Sequence, residues 1–65
     1  MQKYIIYSDG YYFMRFADFP GFGKHAQWTP DIEKAKLFDT EALAKECLRD
    51  DRFGNIRNRC EIQTI

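Results

Sequence analysis

Tyr4-Ile5-Ile6-Tyr7-Ser8-Asp9-Gly10-Tyr11-Tyr12-Phe13-Met14-Arg15-Phe16 is the stretch that decides the fold of this chain. Two runs of β-branched and aromatic residues flank Asp9-Gly10. That dipeptide accepts positive φ, so the stretch predicts a β-hairpin. The first strand covers residues 2–8 and the return strand residues 11–17. Simple alternation puts Tyr4 and Ile6 on one side of the first strand, with Ile5 and Tyr7 on the other. On the second strand it groups Tyr12, Met14 and Phe16 against Tyr11, Phe13 and Arg15. Both faces of the hairpin therefore carry large side chains. One face can pack on a core, and the second then needs either a cover or a partner.

Downstream of the hairpin, Asp18-Phe19-Pro20-Gly21-Phe22-Gly23-Lys24 reads as a loop, because Pro20, Gly21 and Gly23 interrupt regular structure. A short third strand is expected from His25 to Trp28. Thr29-Pro30-Asp31 has the order of a helix start, with Thr29 as the cap and Pro30 at the first position. That helix should be brief and end near Ala35, and Lys36-Leu37-Phe38 is read as a short fourth strand. Asp39-Thr40 forms a second cap, and the main helix is expected from Glu41 to Asp51. Leu43, Ala44, Cys47 and Leu48 make its apolar stripe, and Glu41 stands four residues before Lys45 on the solvent side. Phe53-Gly54-Asn55 stops it, with Gly54 or Asn55 suited to a left-handed cap. Arg59 to Ile65 alternates and reads as a closing strand. The expected fold is α+β, a small antiparallel sheet of three to five strands with one main helix packed on one face. Residues 1–65 make a single domain on this reading.

Composition narrows the function classes. Sixty-five residues form a thin core, since a chain this short buries only roughly 60% of its unfolded surface. The longest apolar runs, Tyr4 to Tyr7 and Tyr11 to Met14, fall far short of the about 20 residues that a membrane span needs. The N-terminus lacks the layout of a signal peptide, so the expected location is the cytoplasm. Four Tyr, six Phe and one Trp give 17% aromatic residues, more than one thin core uses. Ten basic residues balance ten acidic ones, which argues against a general duplex binder. The charges are segregated, however. Residues 31–51 hold seven acids against four bases, whereas Arg52, Arg57 and Arg59 follow with no acid among residues 52–60. Cys47 and Cys60 are expected to be reduced and buried.

No catalytic constellation emerges, and an enzyme is not expected. His25, the only histidine, has no assignable carboxylate or nucleophile beside it. The two cysteines and His25 lie too far apart for a zinc spacing, so neither metal nor cofactor is expected. Pro20-Gly21-Phe22-Gly23-Lys24 lacks the spacing and the hydroxyl residue of a phosphate loop, and a turn exposing Phe22 is the simpler account. Arg52, Arg57 and Arg59 would favour the negative end of the helix dipole. The functional alternative is a patch for an anionic partner, which with Arg15, Lys24 and stacking aromatics could hold single-stranded bases. The aromatic surface is the stronger candidate. Tyr4, Tyr7, Tyr11, Phe13, Phe19 and Phe22 are the expected anchors for a protein partner, and pairing of two hairpin faces in a homodimer is a further reading.

The layout Asp9-Gly10-Tyr11-Tyr12, then Trp28-Thr29-Pro30-Asp31, Ala35-Lys36, Phe38 and Ala42 to Ala44 resembles very small bacteriophage and prophage proteins. In these a hairpin precedes a W-T-x-D…A-x-x-F pattern and a helix. The resemblance covers about residues 4–44. It implies a protein that binds and blocks a host protein in the bacterial cytoplasm, as anti-CRISPR and other anti-defence inhibitors do. It carries no catalytic residues.

Overall fold

The computed structural model describes residues 2–65. Strands β1 (Tyr4–Ser8) and β2 (Tyr11–Phe19) form the expected hairpin, with Tyr7 opposite Tyr12 and Ser8 opposite Tyr11. Its turn has φ 49° at Asp9 and 87° at Gly10, the backbone that a two-residue connection demands of these residues. Strand β3 (Gly23–Thr29) pairs with β2, and β4 (Glu61–Thr64) pairs with β1. The result is one antiparallel sheet of order β3-β2-β1-β4, with α1 (Glu41–Leu48) laid over β1 and β4. The α+β class, the antiparallel sheet and the main helix on one face are as the sequence predicts.

The faces of β2 are not. The β2–β3 register shifts between Phe13 and Arg15, a bulge that inserts Met14 as an extra residue. Phe13 and Phe16 consequently share the helix side, although strict alternation separates them. Their rings lie 5.0 Å apart. Phe13 is 1% exposed and belongs to the core with Ile6, Phe38, Ala44 and Phe53.

The segment expected as a fourth strand at 36–38 is reduced to one bridge. Tyr4 and Phe38 exchange both backbone hydrogen bonds at 2.9 Å, while the Lys36 N–H donates to the Phe13 carbonyl at 2.9 Å. The segment thus ties β1 to β2 beyond the pairs next to the turn, and it satisfies groups that would otherwise be buried without partners. Thr29 ends β3 instead of capping a helix. Its hydroxyl accepts from the Asp31 N–H, and Asp31 itself caps a single 3₁₀ turn, Ile32–Lys34.

Helix α1 starts where expected, with the Thr40 hydroxyl accepting from the Leu43 N–H at 3.1 Å. It stops at Leu48, three residues early, because Asp50 adopts extended backbone and caps a new segment. That segment, Asp51–Arg59, is a pair of 3₁₀ turns kinked at Gly54. Of the expected stripe, Ala44 is buried and Cys47 and Leu48 are half-buried, but Leu43 is 52% exposed. Phe53 supplies the missing cover. Its ring sits 4.9 Å from Phe13, 5.3 Å from Phe16 and 6.1 Å from Trp28.

Candidate functional site

From Phe16 onward, β2 and β3 leave the helix layer as a two-stranded arm, and the molecule measures 40 × 22 × 18 Å. Residues 18–24 are therefore not a loop. Asp18 pairs with Lys24 and Phe19 with Gly23, so only residues 20–22 turn the chain. The Phe22 N–H donates to the Phe19 carbonyl at 2.8 Å, with Pro20 and Gly21 (φ 83°) at the centre. Pro followed by Gly at positive φ is the signature of a type II turn, and this signal in the sequence identifies the tip. His25 adds a clasp: its Nε2 lies 2.6 Å from the Phe22 carbonyl. A carbonyl only accepts, so Nε2 carries the proton. The His25 ring also lies 6.2 Å from that of Phe19. The tip is thereby held in shape while Phe22 remains 79% exposed and Phe19 38%.

The six expected anchors do not form one surface. Phe13 lies in the core and cannot meet a partner, because the bulge turns it inward. Tyr4 is half-buried against the core. Tyr7 stands on the second face of the sheet, its ring 5.3 Å from Tyr12. That face is not bare, since alternation puts Ile5 there and Ile5 is fully buried. Tyr11, 51% exposed, lies at the other end of β2 from Phe19. At about 3.3 Å per residue the separation is roughly 25 Å. There Tyr11 rims a groove of about 270 Å³ with Ser8, Asp9, Trp28 and Ile56. Only Phe19 and Phe22 remain together as exposed anchors.

Two of the three clustered arginines are already engaged. Arg52 donates from Nε and Nη2 to the Asp50 carboxylate at 2.9 and 2.6 Å, and its guanidinium stacks 3.7 Å over the Phe16 ring. Arg57 donates to the carbonyls of Arg49 and Asp50, closing the end of α1. Arg15 is bonded to Gln27 at 2.7 Å. Among the described residues Arg59 enters no ion pair, and it is the one exposed arginine of the three. Asp50 holds two of these arginines, Arg52 on its carboxylate and Arg57 on its carbonyl.

Arg52 holds the Asp50 carboxyl well below its usual range, at about 2, chiefly through the side-chain hydrogen bonds and then through its backbone N–H. A carboxylate whose folded pKa is depressed contributes stability above its unfolded pKa near 3.8 and loses it as pH falls through the folded value. Urea midpoints should therefore fall between pH of about 4 and about 2, and less steeply in Asp50→Asn than in the parent. Equal slopes in the two proteins would remove Asp50 as the cause.

Cys47 and Cys60 are free thiols, half-buried rather than fully buried, and burial pushes both upward in pKa. Neither has the lowered pKa of a reactive thiol. Among the described residues no three His, Cys, Asp or Glu side chains gather to hold a metal ion, and no helix is long and apolar enough to cross a membrane. Compared with known proteins, the chain matches no family model, no curated protein and no solved structure.

Proposed function

We propose that the chain is a non-enzymatic protein-binding module, an inhibitor of the phage or mobile-element kind that blocks a host protein such as a CRISPR-type defence component. The observation that supports this is the β2–β3 arm, with Phe22 presented to solvent on a turn fixed by Pro20, Gly21 and the His25 clasp. A large aromatic ring held in one geometry loses little conformational entropy on docking, which is how a small surface gains affinity. The W-T-P-D and A-x-x-F layout supports the class of protein, and segregated charge supplies orientation. The nucleic-acid alternative has less behind it, because Arg52 and Arg57 are already engaged by Asp50 and by backbone carbonyls.

Immobilised chain exposed to bacterial lysate should retain one stoichiometric protein. With that protein purified, the joint change Phe19→Ser and Phe22→Ser should weaken binding by roughly 30-fold or more, the size expected of a hot spot. Melting of the free variant should barely move, since both rings are exposed. Unchanged affinity in the variant overturns the arm as the docking site.

A further inference from the structure

Strand β3 is an edge, and it pairs on one side only. The direction of its free peptide groups follows from the hydrogen bonds of β2. The Phe13 carbonyl is directed to Lys36 on the β1 side, so Phe13 and its partner Trp28 form a pair that points its peptide groups away from each other. Trp28 therefore directs its N–H and C=O outward. Alternation along β3 turns Ala26 and Lys24 outward with it, while His25, Gln27 and Thr29 bond inward to β2.

These three residues are spaced symmetrically about Ala26. We propose that β3 pairs antiparallel with β3 of a second copy of this chain, on a two-fold axis at Ala26. In that register Ala26 exchanges both backbone bonds with the partner's Ala26, and Lys24 does so with the partner's Trp28, twice by symmetry. All the outward groups of the three residues are then satisfied, and the interface closes without propagating. No like charges meet across it. Lys24 is the one formal charge on the strand, and it comes against the partner's Trp28 ring. Asp9 lines the same groove as Trp28, so the cation meets an aromatic face and a carboxylate. His25 falls opposite the partner's Gln27. Phe22 lies beyond the paired stretch, so the inference does not depend on the proposed function and leaves the arm tip available.

The test is amide exchange and light scattering on the intact chain over a concentration series. Mass should rise to that of two chains. In step with it, exchange at the Ala26 and Trp28 amides should slow by roughly tenfold or more, while His25 and Gln27, already bonded within the monomer, should change little. Ala26→Pro removes only the outward N–H of an edge residue, a position where proline is tolerated, and should yield a monomer. A single-chain mass at every concentration overturns the proposal. So does a dimer in which Ala26 exchange ignores concentration, or one that persists in Ala26→Pro. If that variant fails to fold, the exchange series on the parent decides by itself.

Discussion

Truncating Phe13 to Ala is expected to destabilise the domain by about 3–5 kcal/mol, the cost of deleting a fully buried phenyl ring. A core of this size supplies on the order of 3–5 kcal/mol in total, so the variant should be largely unfolded in the absence of a partner. The magnitude rests on where the ring sits. Phe13 is 1% exposed, with Phe16, Phe53 and Trp28 at 5.0, 4.9 and 6.1 Å. With Phe16 it joins the bulged strand to the 3₁₀ segment. Removing it takes from Phe53 its nearest aromatic neighbour. The reporter is built in, because Trp28 is the only tryptophan. Its emission and the near-ultraviolet dichroism should resemble those of the denatured chain. Phe22→Ala is the control, the same chemical change at a site 79% exposed, and should shift stability by no more than about 0.5 kcal/mol. A Phe13→Ala protein that melts like the parent would mean that the aromatic cluster is not the core.

The contrast between Phe13 and Phe22 also shows how far the chain can be read from its residues. The first hairpin was legible because Asp9-Gly10 has one cheap conformation, and the start of α1 because Thr40 has a partner at Leu43. Each signal is local and self-contained. The bulge at Met14 was not legible, since nothing in Phe13-Met14-Arg15-Phe16 breaks a period-two pattern. Only the need to bring both Phe13 and Phe16 onto Phe53 gives the insertion a reason, and that contact spans about 40 residues of chain. The early stop of α1 has a similar origin. The pattern of the residues places Asp50 in the helix, but its carboxylate gains three donors from Arg52 by leaving it.

The candidate site was legible in part for the same physical reason. Phe19 and Phe22 flank a Pro-Gly turn whose geometry is local, so their exposure could be anticipated. A loop at 18–24 leaves out that the strands continue to Phe19 and from Gly23, which makes a hydrogen-bonded arm out of what composition presents as an irregular segment. Charge counting treats each arginine as free, whereas the helix-end account fits Arg57, which closes the last turn of α1. Two of them are held by acceptors within eight residues of their own positions. Surface charge in a sequence is thus an upper limit on what a partner meets.

Gly54 carries the second large expectation, a loss of about 1–3 kcal/mol on replacement by Ala. The reason is backbone and not crowding, since a β-carbon at Gly54 would meet nothing within 4 Å. Its φ of 59° comes with ψ of −142°, outside the left-handed helical region that the sequence suggested for a cap. That difference makes a sharp distinction between substitutions. A left-handed cap tolerates Asn far better than Ala, because the short amide bonds locally. At this ψ that allowance is lost, so Gly54→Asn and Gly54→Ala should destabilise by similar amounts, read as matched drops in urea midpoint. Gly10, at φ 87° in the hairpin turn, provides the opposite case, where Asn should be accepted more readily than Ala. The damage at Gly54 should also spread to the groove. The kink lets Phe53 enter the core while Ile56, three residues on, turns back beside Trp28 and Tyr11. Relaxing it pulls one of these two away from Trp28, so the emission of the folded variant should shift even before unfolding begins. Asn tolerated well where Ala is not would place Gly54 in a left-handed cap after all, with Asp51 to Phe53 as the last turn of α1.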